Sequence, residues 1–227
     1  EAGCGWGGLA RYMARNYGVK VHSYNISREQ LAFAREEARK QELDHLVEYI
    51  EDDYRNISGQ YDAFVSIGML EHVGKENYEA LSELIKRSLK PDGIALLHSI
   101  GRNRPMLMNA WIEKRIFPGA YPPSIGEFMQ ICEHGDFSVL DVENLRLHYA
   151  QTLSHWMERF NQNEDKVTAM YDGHFTRAWR MYLAGSIAAF RAGSLQLFQV
   201  VFSHGDNNQL PRNRRDLYDF PAAPEEA

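Results

Sequence analysis

The sequence predicts an α/β protein in which a doubly wound, mostly parallel sheet carries helices on both faces. Strand-like and helix-like segments alternate over the first hundred residues, which is typical of such a sheet. The chain also begins with a glycine-rich turn, residues 1–8, of the kind that leads from a central first strand into a helix. The strand that should precede this turn is not in the sequence, so we expect the first strand to be largely missing from this chain.

Each predicted element follows from its apolar pattern. Runs rich in β-branched and aromatic residues predict strands, and helix-forming runs with one apolar face predict helices. Up to residue 101 these patterns give helices at 9–17, 28–41 and 75–89, and strands at 19–24, 47–50, 61–67 and 94–100. Ser27 is expected to cap the second helix, with Gln30 completing a capping box, and residues 90–93 predict a turn.

The alternation breaks at 102–135, where four prolines stand among large apolar residues. Such a segment beside a site either shapes a substrate pocket or lid, or packs on the core. A strand at 137–147, helices at 150–161 and 164–192 and a last strand at 195–203 are predicted to follow. We therefore expect one domain over 1–210, with a substrate-pocket insertion within 102–149, and a tail at 211–227 that is disordered over 221–227.

The composition excludes several classes of protein. A formal net charge of −6 argues against binding to nucleic acid. No apolar run reaches the ~18 residues that a membrane span needs. The two cysteines, Cys4 and Cys132, are too few for a disulfide framework and predict a reducing, cytoplasmic compartment. The basic cluster at 212–215 is either a solvated tail or a contact for anionic lipid headgroups.

The glycine-rich turn formally matches the G-x-G-x-x-G pattern of dinucleotide-binding proteins, from Gly3 to Gly8. In those proteins an acidic residue at the end of the second strand binds a ribose. Here that strand ends in Asn25, Ile26 and Ser27, without a carboxylate. The pattern therefore disfavours NAD, and on its own it is also compatible with a plain tight turn.

Ionisable residues occur at the predicted ends of two neighbouring strands. Glu71 follows the strand at 61–67, and His98 lies near the end of the strand at 94–100. Taken singly, they are compatible with a helix N-terminal acid and a core histidine. Because strand ends in such a sheet converge on one pocket, the pair predicts a functional site. Tyr149 follows a predicted strand edge at His148, where it either reaches the same pocket or packs as a half-buried aromatic residue.

Six segments carry a more specific signal than the glycine turn. They are E-A-G-C-G-W-G-G at 1–8, N-I-S-R-E-Q at 25–30, D-Y-R at 53–55, I-G-M-L-E-H-V-G at 67–74, L-L-H-S-I-G at 96–101 and L-Q-L-F-Q-V-V-F-S at 195–203. In this order and at this spacing they resemble the motifs of the cyclopropane-fatty-acyl-phospholipid synthase family of methyltransferases. The resemblance extends to about Leu210 and implies the Rossmann-like sheet of class I methyltransferases.

The resemblance implies S-adenosyl-L-methionine as cofactor and bicarbonate as a bound anion, with no metal site. The residues that would bind the cofactor are Gly3, Cys4, Gly5, Gly7, Asn25, Ile26, Gln30, Tyr54 and Arg55. Those that would form the catalytic bicarbonate site are Glu71, His98, Tyr149 and the backbone amide of Ile100. Two positions differ from the usual family pattern, because Asn25 stands in place of threonine and Ser186 in place of the cysteine of many members.

The reaction implied by the resemblance is methyl transfer to a cis double bond of a phospholipid acyl chain. The resemblance further implies that bicarbonate is the base that removes a proton as the cyclopropane ring closes. Two alternatives stay open, which are methyl transfer to another lipid or to a small amine without ring closure, and a catalytically silent lipid-binding module. The implied partners are phospholipid acyl chains at the inner face of a membrane, with no nucleic acid, and a homodimer is left open.

Overall fold

The computed structural model describes residues 1–210 and 212–213. Its strands are β1 (Val21–Asn25), β2 (Val47–Glu51), β3 (Tyr61–Ile67), β4 (Leu89–Gly101), β5 (Phe137–Asn144) and β6 (Gln196–His204). Its α-helices are α1 (Gly8–Tyr17), α2 (Arg28–Lys40), α3 (Leu70–Val73), α4 (Tyr78–Ser88), α5 (Ala110–Arg115), α6 (Ile125–Gly135), α7 (Arg146–Gln162), α8 (Glu164–Met170) and α9 (Gly173–Arg191). The expected disorder at 221–227, and Arg214 and Arg215 of the basic cluster, lie outside the described residues.

The sheet is mixed and confirms the predicted fold class. β1 pairs with β2 and β3 pairs with β4, both in parallel, whereas β6 runs antiparallel to β4 and β5. Glu1 and Ala2 lie between the two parallel pairs. Tyr24 of β1 donates its amide to the Glu1 carbonyl at 2.9 Å, and the Ala2 amide donates to Val65 of β3 at 2.9 Å. The glycine-rich turn therefore leaves the sheet between β1 and β3.

Three apolar clusters hold the helices in place. α1 and α2 pack with β1 and β2 through residues such as Ala10 and Leu31. α4 and α6 pack on β3, β4 and β6 through a larger cluster that includes Phe128 and Phe202. α7 and α9 pack together around Leu153 and Leu183 and join Leu197 of β6. None of the helices in the described part combines the length and the apolar character of a membrane span.

Several predicted boundaries were wrong for identifiable local reasons. The strand at 137–147 ends at Asn144, whose side-chain oxygen accepts from the Arg146 amide at 3.0 Å and starts α7. The helix at 164–192 is two helices, because Asp172 caps α9 by accepting from the Phe175 amide at 2.7 Å. The turn at 90–93 is absorbed within β4 as an irregularity in its pairing with β3.

The segment at 102–135 contains more regular structure than its prolines suggested. It holds α5 and α6, and α6 begins with a capping box between Ser124 and Glu127. A parallel bridge between Arg102 and Ser124 ties the start of the segment to its middle. This arrangement brings α5 and the residues before it alongside α9, where both contribute to one cavity.

Candidate active site

The glycine-rich turn is shaped by the protein atoms around it. Gly3, Gly5 and Gly7 all have positive φ angles, of 81°, 51° and 73°. A Cβ at Gly7 would lie 2.5 Å from the Tyr49 hydroxyl, and one at Gly3 would lie 3.2 Å from Met69. A Cβ at Gly5 would meet nothing within 4 Å. The turn therefore needs glycine at Gly7 and Gly3 for packing, whereas the backbone at Gly5 faces open space.

The other cofactor candidate in the turn, Cys4, contributes through its backbone. Its side chain is buried among α1 and α2, and burial raises the pKa of the thiol to about 12. The thiol is therefore protonated at neutral pH and is not an activated nucleophile. Its amide and that of Gly3 both donate to the Tyr24 carbonyl, at 3.1 and 2.9 Å, which fixes the turn to β1.

Asn25 connects the glycine turn to the start of α2. Its Nδ2 donates to the Gly5 carbonyl at 3.2 Å and to Gln30 Oε1 at 2.8 Å, and its Oδ1 accepts from the Ile26 amide at 2.8 Å. Ser27 caps α2 by accepting from the Gln30 amide, as predicted. The Gln30 side chain, however, bonds to Asn25, so the reciprocal half of the predicted capping box is replaced by this contact. The Ile26 side chain is 75% exposed beside it.

Tyr54 and Arg55 follow the end of β2 in a single 3₁₀ turn, Tyr54–Asn56. Arg55 pairs with Asp53 through two hydrogen bonds, from Nε at 2.9 Å and from Nη2 at 2.7 Å. Tyr54 packs against the large core cluster. The Asp52 amide just before this turn donates to the Asn25 carbonyl at 3.2 Å, so the ends of β1 and β2 meet here. All nine predicted cofactor residues therefore lie in three adjoining segments, which are the glycine turn, the passage from β1 into α2 and the 3₁₀ turn after β2.

Glu71 is a buried carboxyl group with one satisfied oxygen. Its Oε1 accepts from the Ile100 amide at 2.7 Å, which links α3, just after β3, to β4. Its Oε2 is buried and has no hydrogen-bond partner among the described residues. Burial raises the pKa of Glu71, against the lowering effect of the backbone amides of Glu71 and Ile100 and of the nearby Ser99 hydroxyl. The Ile100 amide, predicted to face a bound anion, is thus already engaged by Glu71.

His98 lies on β4 two residues before Ile100 and is half-buried. Its Nδ1 lies 3.3 Å from Oε1 of Gln199, its cross-strand partner on β6. With the Gln199 amide in this orientation its Oε1 accepts, which places the proton on Nδ1 of His98 and leaves Nε2 as an acceptor. Burial lowers the pKa of His98 and favours this neutral form. Sequence reasoning missed Gln199, although a glutamine within the apolar strand Leu-Gln-Leu-Phe-Gln-Val-Val-Phe was a visible signal.

Tyr149 reaches the site from a helix and not from the strand edge that was predicted. It lies in the first turn of α7, because β5 ends at Asn144. Its ring contacts Phe190 edge-on at 5.0 Å and Trp156 at 6.2 Å between centroids. Burial raises the pKa of its hydroxyl to about 12, so the group is a proton donor at neutral pH.

Glu71, His98, Ile100 and Tyr149 line one cavity of about 770 Å³. Most of its wall is apolar and comes from two places, the segment 106–120 and α9. The lining residues from these places include Met106, Leu107, Met108, Trp111, Ile112, Phe117, Met181, Tyr182 and Phe190. Ser186 also lines it, so the position that is a cysteine in many family members faces this space. The contribution of α9 was not predicted from sequence.

Met69 connects the two halves of the site. It lies beside Gly3 of the glycine turn and two residues before Glu71. The cofactor candidates, in the glycine turn and at the carboxyl ends of β1 and β2, therefore adjoin the cavity through Met69, and the catalytic candidates line it from β4, α3 and α7. This arrangement suits the transfer of a small group from a bound donor into an apolar, water-poor space.

The order of the sheet and the glycine turn at its centre define the fold of S-adenosylmethionine-dependent methyltransferases. The solved structure of the mycolic acid cyclopropane synthase CmaA1, complexed with SAH and CTAB, superposes with a TM-score of 0.82 at 28% identity. The superposition covers 88% of this chain and 75% of CmaA1.

The chain belongs to the mycolic acid cyclopropane synthetase family, whose model matches residues 1–200. It is 42% identical over 211 residues to the cyclopropane-fatty-acyl-phospholipid synthase of Escherichia coli K12, covering 92% of this chain and 54% of the relative. It is 36% identical over 231 residues to a probable fatty acid methyltransferase of Pseudomonas putida, covering 96% and 58%. The chain thus spans little more than half the length of these curated relatives.

Proposed function

We propose that this chain forms cyclopropane rings in phospholipids, by adding a methyl group to a cis double bond of an acyl chain and closing the ring. The observation that carries the proposal is the unpartnered Oε2 of Glu71, buried beside a large apolar cavity. A buried polar atom without a partner is rare in folded proteins and calls for an explanation. A bound anion that accepts a hydrogen bond from this carboxyl group supplies one.

The cofactor candidates fit S-adenosylmethionine, which supplies the methyl group when it is bound. Asn25 and Gln30 offer amide groups, and Tyr54 offers an aromatic face, beside a turn whose backbone at Gly5 is open. The glycine turn would contact the methionine and ribose parts of the cofactor through Gly3, Cys4, Gly5 and Gly7. The ribose and adenine would be contacted by the residues that follow β1 and β2, which are Asn25, Ile26, Gln30, Tyr54 and Arg55. The absence of a carboxylate at the end of β1 still argues against NAD.

The hydrogen-bonding groups around the cavity fit a bicarbonate ion. Glu71 Oε1 accepts from Ile100, so a proton held by the carboxyl group resides on Oε2 and is available to the anion. A neutral carboxyl also avoids placing two negative charges in contact. The Tyr149 hydroxyl is a second donor, and Nε2 of His98 is an acceptor for the single O–H of bicarbonate. The ion would supply the base that removes the proton during ring closure.

The apolar wall explains why ring closure would be favoured over capture by water. A positive charge that develops on the acyl chain interacts strongly with a nearby anion where the effective dielectric is low. Phe117, Tyr182 and Phe190 exclude water from the same space. Gln199 keeps the His98 ring oriented while this happens.

The proposal extends to where the protein works. A phospholipid substrate requires contact with a membrane surface, and the cavity reaches the protein surface at Met106 and Leu107, which are 47% and 85% exposed. Cys4 and Cys132 are both free thiols, in keeping with a reducing compartment. We therefore assign the protein to the cytoplasmic face of a membrane.

Product analysis tests the function. The protein carrying this sequence is incubated with S-adenosylmethionine, bicarbonate and vesicles of a phospholipid with one cis double bond, and lipids are analysed by mass spectrometry and proton NMR. We expect a gain of one CH₂ with loss of the alkene signals and appearance of cyclopropane protons. Vesicles of the fully saturated phospholipid are the matched control and should gain no mass.

Other products would contradict the proposal in distinguishable ways. A gain of CH₂ with retention of an alkene indicates methyl branching without ring closure. A methylated ethanolamine headgroup with an unchanged acyl chain indicates an amine methyltransferase. Lipid binding without any transfer, under conditions in which the cofactor is bound, indicates a silent lipid-binding module.

A further inference from the structure

Arg102 is a buried cation in the wall of the same cavity, and neither the cofactor loops nor the anion site uses it. The residue follows β4 directly and is only 5% exposed. Its backbone is held on both sides, because its amide donates to Pro123 at 2.8 Å and its carbonyl accepts from Ile125 at 3.3 Å. The side chain therefore starts from a fixed point two residues beyond Ile100.

Among the residues that the structure describes, no acidic side chain pairs with Arg102. Burial of an arginine without an acidic partner is unusual, since charged side chains are almost never fully buried unless they are paired. Desolvation accordingly lowers the pKa of Arg102.

The guanidinium group is satisfied on one side only. Nη1 donates to the carbonyls of Met106 and, at 2.7 Å, Leu107. Nη2 has the sulfur of Met108 at 3.7 Å, which is a weak acceptor, and Nε is buried without a partner. Nε and Nη2 form one edge of the guanidinium, the edge that pairs with carboxylate or phosphate through two parallel hydrogen bonds. The edge of the guanidinium that suits an oxyanion is thus the edge that lacks a strong hydrogen-bond acceptor.

The position of Arg102 in the cavity indicates what kind of oxyanion could reach it. Arg102 lines it together with Met106, Leu107 and Met108, and Leu107 is 85% exposed, so this part of the wall borders the surface. Glu71 and His98 line the same cavity from the ends of β3 and β4. An acyl chain that occupies the apolar space would have its polar head near the surface. Met108 has a flexible side chain that can give way to such a head.

We propose that Arg102 binds the oxyanion at the head of the acyl substrate, with its Nε and Nη2 edge, after displacement of the Met108 side chain. This assignment deepens the proposed function and rests on it for the identity of the acyl chain. The shared chemistry is a phosphate or carboxylate attached to an alkyl chain, from a phospholipid or from a free fatty acid. The proposal makes residue 102 a determinant of substrate charge, in addition to the residues that act at the double bond.

The test is a binding experiment that needs no methyl transfer. Decyl phosphate, decanoate, decanol and inorganic phosphate are each titrated into the protein by calorimetry, below the concentration at which the amphiphiles form micelles. We expect decyl phosphate to bind at least tenfold more tightly than decanol, equivalent to about 1.4 kcal/mol. Tighter binding of decyl phosphate than of decanoate would identify the natural ligand as a phospholipid, and the reverse would identify it as a fatty acid. Inorganic phosphate alone is expected to bind weakly.

Three variants locate the effect. Arg102→Met keeps an unbranched side chain without the guanidinium group and should remove the preference for decyl phosphate over decanol. Arg102→Lys keeps the charge without the paired donors and should retain part of the preference. Arg104→Met is the matched control, because Arg104 is an exposed arginine two residues further on, and its removal should leave the preference unchanged. Thermal unfolding of each variant establishes that it is folded.

Four results would overturn the proposal. The first is equal affinity of the unmodified protein for decyl phosphate and decanol, which does not depend on any variant folding. The second is an equal loss of affinity for both ligands in Arg102→Met, which would make Arg102 only a support for the loop at 106–108. The third is an undiminished preference in Arg102→Lys and Arg102→Met. The fourth is inorganic phosphate binding as tightly as decyl phosphate, which would indicate a free-anion site. None of these results bears on cyclopropane formation, which product analysis decides.

Discussion

The Ile100 amide donates a hydrogen bond of 2.7 Å to Oε1 of Glu71, and this bond orients a buried carboxyl group towards the cavity. It joins two residues 29 positions apart, from the end of β3 and the end of β4. Since Oε1 is occupied as an acceptor, the second oxygen, Oε2, is the one left for a ligand. The orientation of the proposed anion site thus depends on a backbone contact that no single motif contains.

Replacement of Glu71 by Gln should remove most ring-forming activity and leave cofactor affinity nearly unchanged. Gln keeps the shape, but its amide cannot exchange a proton with the anion, so the base is misplaced as the cation forms. A loss of about 100-fold in kcat, equivalent to about 2.7 kcal/mol, is expected. Steady-state kinetics and calorimetry with S-adenosylhomocysteine measure the two effects. Glu79→Gln, on the exposed face of α4, is the control and should behave like the unmodified protein. Loss of activity through weaker cofactor binding alone would refute the role of Glu71.

Replacement of Asn25 by Ala should weaken cofactor binding. The change removes the hydrogen bonds to Gly5 and Gln30, each of which contributes about 0.5–1.5 kcal/mol. The turn would then lose its side-chain link to the start of α2, and a loss of about tenfold in affinity is expected. Calorimetry with S-adenosylhomocysteine gives the value. Asn16→Ala removes an exposed asparagine that bonds only to the Tyr12 carbonyl of its own helix, and it should cause no change. Equal affinity of the Asn25 and Asn16 variants would contradict the prediction.

Alanine substitutions in the glycine turn should have three different effects on stability. At Gly7 the new Cβ would meet the Tyr49 hydroxyl at 2.5 Å in a left-handed backbone, so a loss of about 2–5 kcal/mol is expected. At Gly5 the space is open and only the backbone is strained, so a loss of about 1–2 kcal/mol is expected. Gly8 begins α1 without a positive φ and should be neutral or gain up to about 1 kcal/mol. Urea unfolding measures all three, and a Gly7 variant no less stable than the Gly5 variant would show that Tyr49 does not constrain the turn.

The two buried glutamates should affect acid stability in opposite directions. Lys75, Ser124 and Tyr121 donate hydrogen bonds to the Glu127 carboxylate, and its pKa is lowered to about 2 although burial by itself would raise it. Its stabilising contribution is therefore present above the usual pKa of 4.5 and lost as pH falls towards 2. The pKa of Glu71 is raised, so its contribution is present below 4.5 and lost as pH rises through its folded pKa.

Urea unfolding of the unmodified protein, Glu127→Gln and Glu71→Gln across a pH series isolates these contributions. The Glu127 variant should lose most stability, relative to the unmodified protein, at neutral pH and little near pH 2. The Glu71 variant should gain relative stability as pH rises above 4.5. A parallel pH dependence of all three proteins would show that neither carboxyl group is perturbed as described.

Local patterns were enough to identify the loops that carry the site. The glycine turn, the segments at 25–30 and 53–55, and Glu71 after β3 all lie at strand ends, where the alternation of strands and helices places them. This works because the position of a loop at a parallel sheet edge follows from the order of elements along the chain. Ser27 as the cap of α2 was also found, since capping depends on residues only three apart.

The choice between competing hydrogen-bond partners could not be predicted from those patterns. Tyr149 was assigned to a strand edge because Asn144, which accepts from the Arg146 amide where β5 ends, lies in a segment whose apolar residues alternate with polar ones. Gln30 was assigned to the Ser27 cap, but Asn25 competes for its side chain. These errors share a cause, because a polar side chain with two available partners is allocated by three-dimensional distance, and sequence separation does not rank the choices.

The amino-acid sequence by itself determined the fold class, the central glycine turn and the placement of Glu71 and His98 at neighbouring strand ends, where they line one cavity. Hydrophobic periodicity and turn chemistry are local properties, and they fix which segments become strands, helices and loops. Only the tertiary structure decided that Ile100 is bonded to Glu71, that Gln199 orients His98, that α9 walls the cavity and that Arg102 is buried without an acidic partner. Hydrogen bonding and burial depend on residues that are distant in sequence and meet only when the sheet is assembled. His98 and Gln199, for example, are 101 positions apart.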